Sequence, residues 1–246
     1  MPLMASRRVW INVGLFVVFT IVFLSQTSVQ DYLLSRSPHE RLMRHFAEFE
    51  RKAGRDPDIH RALEGVSDME RSGKLQEMSR NGTARLDNAA LLERAPIMSA
   101  IYSRLSDRAC ANAVKGYTPS ENDKAEFEGA LLRLEADFVT KWMGSLQKAM
   151  RAEALATPMH LVTQEEMRAA FGALEGKIGK AAAMRVDAGL TQRATDAEFA
   201  WAARTIYAVA PSLPEPHGSA LLRMMTQLGE ETPASEPIPP LIPEVR

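Results

Sequence analysis

The feature that most limits how this chain can fold is a run without charge near the amino terminus. No charged residue occurs between Arg8 and Asp31, and the residues from Val9 to Val29 are mostly apolar. A helix of this length covers about 30 Å, which is the thickness of the hydrocarbon core of a bilayer. The sequence therefore predicts a single transmembrane helix over residues 9–30.

Whether this segment is cleaved depends on the residues after its apolar core. A signal peptide has a shorter apolar core and then small residues spaced as in A-x-A. The stretch from Ser25 to Gln30 contains small residues but no alanine pair, and Trp10 and Tyr32 flank the run where aromatic rings favour the headgroup layer. We therefore expect a retained anchor, with cleavage as the alternative.

The orientation of the span follows from the basic residues on its two sides. Arg7 and Arg8 directly precede it, and cytoplasmic flanks carry an excess of basic residues. Three arginines within about fifteen residues of the other end weaken this preference. We predict an inner-membrane protein with a cytoplasmic tail over residues 1–8 and its main domain in the periplasm, outside the cytoplasm.

Helix starts after the span are marked by capping boxes. In such a box a Ser or Thr side chain accepts a hydrogen bond from the backbone N–H three residues on, where a Glu reaches back. Asp56-Pro57 is a related start, with proline at the first helical position. The four boxes are Ser37-Pro38-His39-Glu40, Thr118-Pro119-Ser120-Glu121, Thr163-Gln164-Glu165-Glu166 and Thr195-Asp196-Ala197-Glu198.

Apolar residues between these starts recur every three or four positions, which is typical of one buried helical face. The longest series predicts a single helix of about ten turns: Phe127, Leu131, Leu134, Phe138, Trp142, Leu146 and Met150. Further series are Leu91, Ala95, Met98, Tyr102, Leu105 and Ala109, with Pro96 bending the helix or marking its first turn; Met167, Phe171, Leu174 and Ile178; and Phe199, Ala203, Ile206 and Ala210. No comparable stretch alternates with period two, and Asn81-Gly82 is interpreted as part of a polar connector. The fold class is all-α, a helical bundle outside the cytoplasm preceded by one transmembrane helix.

The segments after the span are predicted from composition. We expect a basic amphipathic helix next to the membrane over residues 31–56 and an all-helical domain over 57–230. Prolines from Pro211 to Pro216 separate a last short helix, around Ser219 to Leu228, from the main bundle. Residues 231–246 form a proline-rich, disordered tail whose P-x-x-P spacing could bind aromatic grooves, although a solvated tail is favoured.

The predicted helix over 31–56 offers the candidate contact residues. Leu42, Phe46, Phe49 and Ala53 share one of its faces, and such a helix can lie on anionic headgroups or bind a partner. The favoured alternative is that this face packs on the bundle and the basic side chains are solvated. The candidate membrane-surface or partner contacts are Arg36, Arg41, Arg44, Arg51 and Lys52.

The chain carries no sequence motif for a catalytic serine, a phosphate loop or a zinc site. His39 and His45 are six residues apart, whereas the zinc motif H-E-x-x-H requires four. Cys110, the single cysteine, lies among small residues typical of a buried, inert thiol. We therefore assign no catalytic, cofactor-binding or metal residue and expect no cofactor.

The function predicted from these features is non-catalytic. A net charge of −1 gives no reason to expect nucleic acid as a partner. We expect an interaction, scaffold or assembly protein of the bacterial cell envelope, such as an accessory subunit or a tethered helper for secreted proteins, with an envelope protein as partner. The alternative is an anchored enzyme that acts on a cell-wall polymer through carboxylates, of which no pair stands out.

Overall fold

The computed structural model describes residues 38–117 and 119–228, which form helices joined by short connections. No β-strand occurs in this part of the chain, and the all-α prediction is confirmed. The same residues contain no helix that is long and apolar enough to cross a membrane. The predicted span over 9–30 and the tail over 231–246 lie outside the described residues.

The helices follow one another with few long connections, as expected from the spacing of the capping residues. In chain order they are α1 (Pro38–Arg55), α2 (Pro57–Ala62), α3 (Asp68–Thr83), α4 (Asn88–Tyr102), α5 (Asp107–Lys115), α6 (Glu121–Leu132), α7 (Ala136–Ala154), α8 (Gln164–Ile178), α9 (Lys180–Gly189), α10 (Asp196–Val209) and α11 (His217–Gln227), with a 3-10 turn over Ala210–Ser212.

The contacts group these helices into two compact units, each built from two separate stretches of chain. The first unit comprises residues 38–86 and 116–158, and therefore α1, α2, α3, α6 and α7. Within it α3 packs extensively against α7, which α1 and α2 also contact. Its core contains Phe46, Met78 and Trp142, all buried, so α7 is the central element of this unit.

The second unit comprises residues 87–115 and 159–228. Its helix α10 packs against α5 and α9, while α11 packs against α8 and α4. The series predicted to be its inner face is buried, as expected: Phe199, Ala203, Ile206 and Ala210. The predicted last short helix is also present, as α11.

Two capping boxes are confirmed, and a third is displaced. Thr163 accepts from the N–H of Glu166 at 3.2 Å, and Thr195 and Glu198 make the same arrangement at the start of α10. At the start of α6 the box is formed by Ser120 with Asp123, so the prediction based on Glu121 is wrong. Aspartate reaches back to the N–H of Ser120 at 2.9 Å, as a glutamate would. Ser37 and Thr118 lie outside the described residues.

The prediction of one helix of ten turns is wrong, because the chain leaves helical geometry between α6 and α7. The N–H of Arg133 bonds to the carbonyl of Ala130, three residues back, which closes α6. Leu134 is buried, and Glu135 has extended backbone with ψ 149° before α7 begins. The register restarts there, so Val139 is buried and Phe138 is only half-buried.

Two other stretches differ from their predicted form. Asn81 and Gly82 lie inside α3 and not in a connector. At Gly82 the backbone of α3 approaches the backbone of α7 at Ala149. The apolar run from Leu91 to Ala109 divides into α4 and α5, with Pro96 inside α4.

Replacing Ala156 with glycine is expected to raise the free energy of unfolding by about 0.5–1 kcal/mol. Ala156 follows α7 with a φ of 47°, a left-handed conformation that glycine adopts without steric cost. The side chain is exposed, so its removal loses no packing. Urea denaturation of the purified chain measures the change.

Gly179 provides the reverse test, because it links α8 to α9 with a φ of 84° and has open space where a Cβ atom would lie. Gly179→Ala is expected to lower the free energy of unfolding by about 1–2 kcal/mol through backbone strain alone. Equal effects of the two substitutions would contradict the left-handed geometry of these two positions.

Candidate interaction surfaces

The solvent side of α1 carries four of the five basic residues predicted from the sequence. Arg41, Arg44, Arg51 and Lys52 are all exposed. Arg55, at the end of the helix, is also exposed and was not among the predicted residues. Arg36 lies outside the described residues. The structure therefore gathers a basic surface on one helix, which we call the α1 basic face: Arg41, Arg44, Arg51, Lys52 and Arg55.

The opposite side of α1 is part of the core of the first unit. Its apolar side chains are all buried, and the ring of Phe46 packs edge-on against Trp142 with centroids 6.0 Å apart. This arrangement is the favoured alternative of the sequence prediction. Because these side chains are already covered, α1 cannot place them in a bilayer without leaving the bundle: Leu42, Phe46, Phe49 and Ala53.

Carboxylates on α1 partly balance its basic face. Lys52 pairs with Glu48 at 2.9 Å, and this hydrogen bond lowers the pKa of Glu48. Arg44 approaches Glu40 at 3.5 Å, although 75% of the arginine side chain is exposed. Arg51 and Arg55 form no ion pair with a described side chain, so their charges are available to a ligand from solution.

Large apolar side chains are also exposed in the connector between α7 and α8, Leu155 in the first unit and Met159 and Leu161 in the second. The exposed fractions are 52% for Leu155, 41% for Met159 and 66% for Leu161. These residues were not predicted from the sequence, because apolar residues in the connector do not recur at helical spacing. The signal that was present is Thr157-Pro158 between two helical series, which marks a loop in which apolar residues are unexpected.

The backbone of this connector is fixed within each unit. In the first unit, Arg85 donates to the carbonyl of Thr157 at 2.5 Å and to Glu153 at 2.6 Å. In the second unit, Gln227 donates to the carbonyl of His160 at 3.1 Å. These bonds hold each part of the connector within its own unit, while the apolar side chains remain in contact with water.

Several described carboxylates have pKa values shifted by their surroundings. The N–H groups of Thr163 and Thr195 lower the pKa values of Glu166 and Glu198, which cap α8 and α10. Desolvation raises the pKa of Glu50 in the first unit and of Asp187 in the second. The lowered pKa values of Glu166 and Glu198 are therefore explained by helix capping.

Two histidines pair with carboxylates of the same unit. His39 pairs with Glu128 at 3.0 Å, and His160 pairs with Glu166 at the same distance. Among residues 38–117 and 119–228, no group of three or more His, Cys, Asp or Glu side chains could hold a metal ion.

A shallow recess lies on the surface of the first unit. None of its lining side chains is a carboxylate, so its chemistry is that of an apolar hollow with one basic edge. It is lined by Arg41, Leu42, His45, Leu131, Leu132, Leu134, Ala136 and Val139.

Cys110 is buried in α5, as the small residues around it predicted. Burial raises the pKa of its thiol to about 11. At mildly alkaline pH we expect a thiol reagent to leave the folded chain unmodified and to react with one thiol after denaturation, because the thiolate is the reactive form. Rapid reaction of the native chain would contradict this burial.

The same shift predicts a pH dependence. An exposed thiol releases its proton near pH 8.5, whereas Cys110 keeps its proton up to about pH 11 in the folded chain. Its contribution to stability is therefore present below the pKa of the exposed thiol and is lost as pH rises toward 11. C110A should show a weaker decline over this interval when melting is followed against pH.

Comparison of the chain with protein-family models, with curated proteins and with solved structures finds no match in any of the three. The surfaces of the described residues are therefore the basis on which a function can be argued.

Proposed function

We propose that this chain is a single-pass inner-membrane protein of the bacterial envelope whose helical part, outside the cytoplasm, binds another protein. Residues 9–30 are the anchor, residues 1–8 are the cytoplasmic tail, and the helices that come after them act as a scaffold, assembly factor or tethered helper for secreted proteins. The length of the uncharged run and the arginines before it support the anchor.

The observation that carries the binding function is the exposure of Met159 and Leu161, two residues apart at the start of the second unit. Single exposed apolar residues are common on protein surfaces, whereas large apolar side chains exposed close together favour an interaction site. Because Gln227 of the same unit donates to the carbonyl of His160, between these two residues, their side chains are held ready for a partner. Each is already about half-buried, so its complete burial against a partner would contribute about 1 kcal/mol.

The direct test is photocrosslinking in native membranes with a photoreactive amino acid at Leu161. We expect a defined envelope protein to be captured from this position. The matched control carries the same amino acid at Gln192, an exposed polar position in the second unit, and should capture nothing defined. Substitution of Met159 by serine should reduce the capture from position 161, while the melting temperature stays the same.

The opposite result has a clear form. If Met159→Ser leaves capture and phenotype unchanged, and one Asp or Glu substitution abolishes the phenotype of a folded, abundant chain, the interaction proposal fails. The anchored enzyme acting through carboxylates then takes its place.

The anchor has its own test. N-terminal sequencing of the protein in the membrane fraction should begin at the amino terminus of the translated chain, and a mature terminus between Gln26 and Gln30 with soluble protein would contradict the anchor. Alkaline phosphatase fused after Arg246 should be active, since this enzyme matures outside the cytoplasm. An inactive fusion together with an active cytoplasmic reporter would reverse the orientation.

A further inference from the structure

Three arginines of the α1 basic face form a row along the solvent side of the helix. Arg44, Arg51 and Arg55 are separated by seven and four residues, and such positions lie on the same side of an α-helix. The row is about 16 Å long. Helix α1 carries five basic side chains and three carboxylates, and two of these carboxylates, Glu40 and Glu48, already have a basic partner. The surface is therefore suited to a ligand that carries several negative charges.

The packing of α1 limits how it can meet such a ligand. An amphipathic helix that binds a membrane usually buries its apolar side among the acyl chains. The apolar side of α1 is instead buried against α7 in the first unit. Any contact made by the row must therefore be electrostatic and must remain at the level of the headgroups.

The distance along the chain keeps α1 close to the membrane if residues 9–30 span it. Only eight residues separate Val29, the last of the apolar run, from Pro38, the first residue of α1. A chain of this length reaches at most about 28 Å when fully extended. An anchored chain thus holds the α1 basic face beside the leaflet that the span leaves.

We propose that, in the anchored chain, the row formed by Arg44, Arg51 and Arg55 rests on the anionic lipid headgroups of this leaflet. This inference rests on the anchor of the proposed function and names a second ligand, the membrane surface. Each basic side chain beside an anionic leaflet shifts the equilibrium toward the surface about fivefold. The contact would fix the orientation of the first unit relative to the membrane, which the span alone leaves free.

The experiment uses the full chain, reconstituted into vesicles of phosphatidylcholine or into vesicles in which phosphatidylglycerol replaces a third of it. A donor fluorophore is attached to the A47C variant, since Ala47 is exposed on α1 and the single native cysteine, Cys110, is buried. An acceptor is carried on the lipid headgroups. We expect energy transfer to be higher in the anionic vesicles and to fall to the phosphatidylcholine level in concentrated salt, which screens such contacts.

The matched variants have equal changes in net charge. R44Q/R51Q/R55Q should lose the extra energy transfer in anionic vesicles. The equilibrium between α1 in contact with the membrane surface and α1 away from it should shift about a hundredfold. R133Q/K141Q/K148Q, which changes one exposed cation in the turn after α6 and two in α7, should keep it. The inference is overturned if the chain without substitutions shows equal energy transfer in both vesicle types. It is also overturned if the two triple variants lose the extra energy transfer equally.

Flotation of the vesicles at alkaline pH distinguishes the two levels of the argument. If the chain does not float with the vesicles, the anchor itself fails, and this inference fails with it. If the chain floats but its transfer is the same in both vesicle types, the anchor stands and only the headgroup contact is overturned. Loss of transfer on adding an acidic protein partner, without any dependence on lipid, would assign the row to a protein instead.

Discussion

Truncation of Trp142 to alanine is expected to lower the free energy of unfolding by about 3–5 kcal/mol. Trp142 lies in the middle of α7 and only 3% of its surface is exposed. Its ring contacts Phe46 of α1 and Phe127 of α6, with centroid distances of 6.0 and 5.9 Å. The substitution would leave a cavity among three helices, and chemical denaturation followed by circular dichroism measures the loss.

Phe138 is the matched comparison, because the helical spacing predicted the same burial for both residues. In the structure Phe138 is half-buried, with the ammonium of Lys141 at 5.9 Å from its ring centre. Phe138→Ala is therefore expected to cost about 1–2 kcal/mol. An unchanged midpoint for Trp142→Ala, or a larger loss at Phe138 than at Trp142, would mean that the other side of α7 faces the core.

Helix starts could be predicted from the sequence because capping is a local interaction. The boxes at Thr163 and Thr195 need only residues three positions apart, and Asp56 caps α2 from the position directly before it. The displaced box at Ser120 has the same cause, since aspartate three residues on performs the role expected of glutamate. These elements required no knowledge of the rest of the fold.

The break between α6 and α7 could not be predicted in the same way. The residues at the break, Leu132 to Glu135, have high helix propensity, and the local chain favours continuation. The chain breaks nevertheless, and Leu134 is buried in the first unit. Tertiary packing outweighs propensities of a few tenths of a kcal/mol per residue. Periodicity therefore identified the apolar residues and missed the change in direction.

The sequence predicted which residues lie on α1. It did not decide whether the apolar side of this helix contacts a lipid bilayer or the core of the helical bundle. Periodicity alone could not decide between a bilayer and a protein core, because both offer an apolar environment to Phe46 and Phe49. The packing of α1 against α7 decides it for the described residues. The exposed connector residues Leu155 and Leu161 had no periodic pattern, and their exposure follows only from the tertiary structure.

Replacing Gly82 with alanine is expected to lower the free energy of unfolding by at least about 3 kcal/mol. Gly82 lies in the last turn of α3, where this helix packs against α7. A Cβ atom at this position would overlap the carbonyl oxygen of Ala149 and lie 2.5 Å from its carbonyl carbon. Backbone atoms in the middle of a packed helix cannot move aside cheaply, so α3 would have to shift along or away from α7.

Gly73 allows the same substitution in the same helix without the clash. No atom lies within 4 Å of a Cβ at Gly73, which is exposed on α3. Gly73→Ala is expected to raise the free energy of unfolding by about 0.5–1 kcal/mol, because glycine inside a helix loses more backbone entropy than alanine on folding. The pair therefore separates helix propensity from helix packing by the sign of the change in denaturation midpoint. If both substitutions stabilise the chain, the backbones of α3 and α7 are not in contact at Gly82, and the arrangement of the first unit is wrong at its most extensive interface.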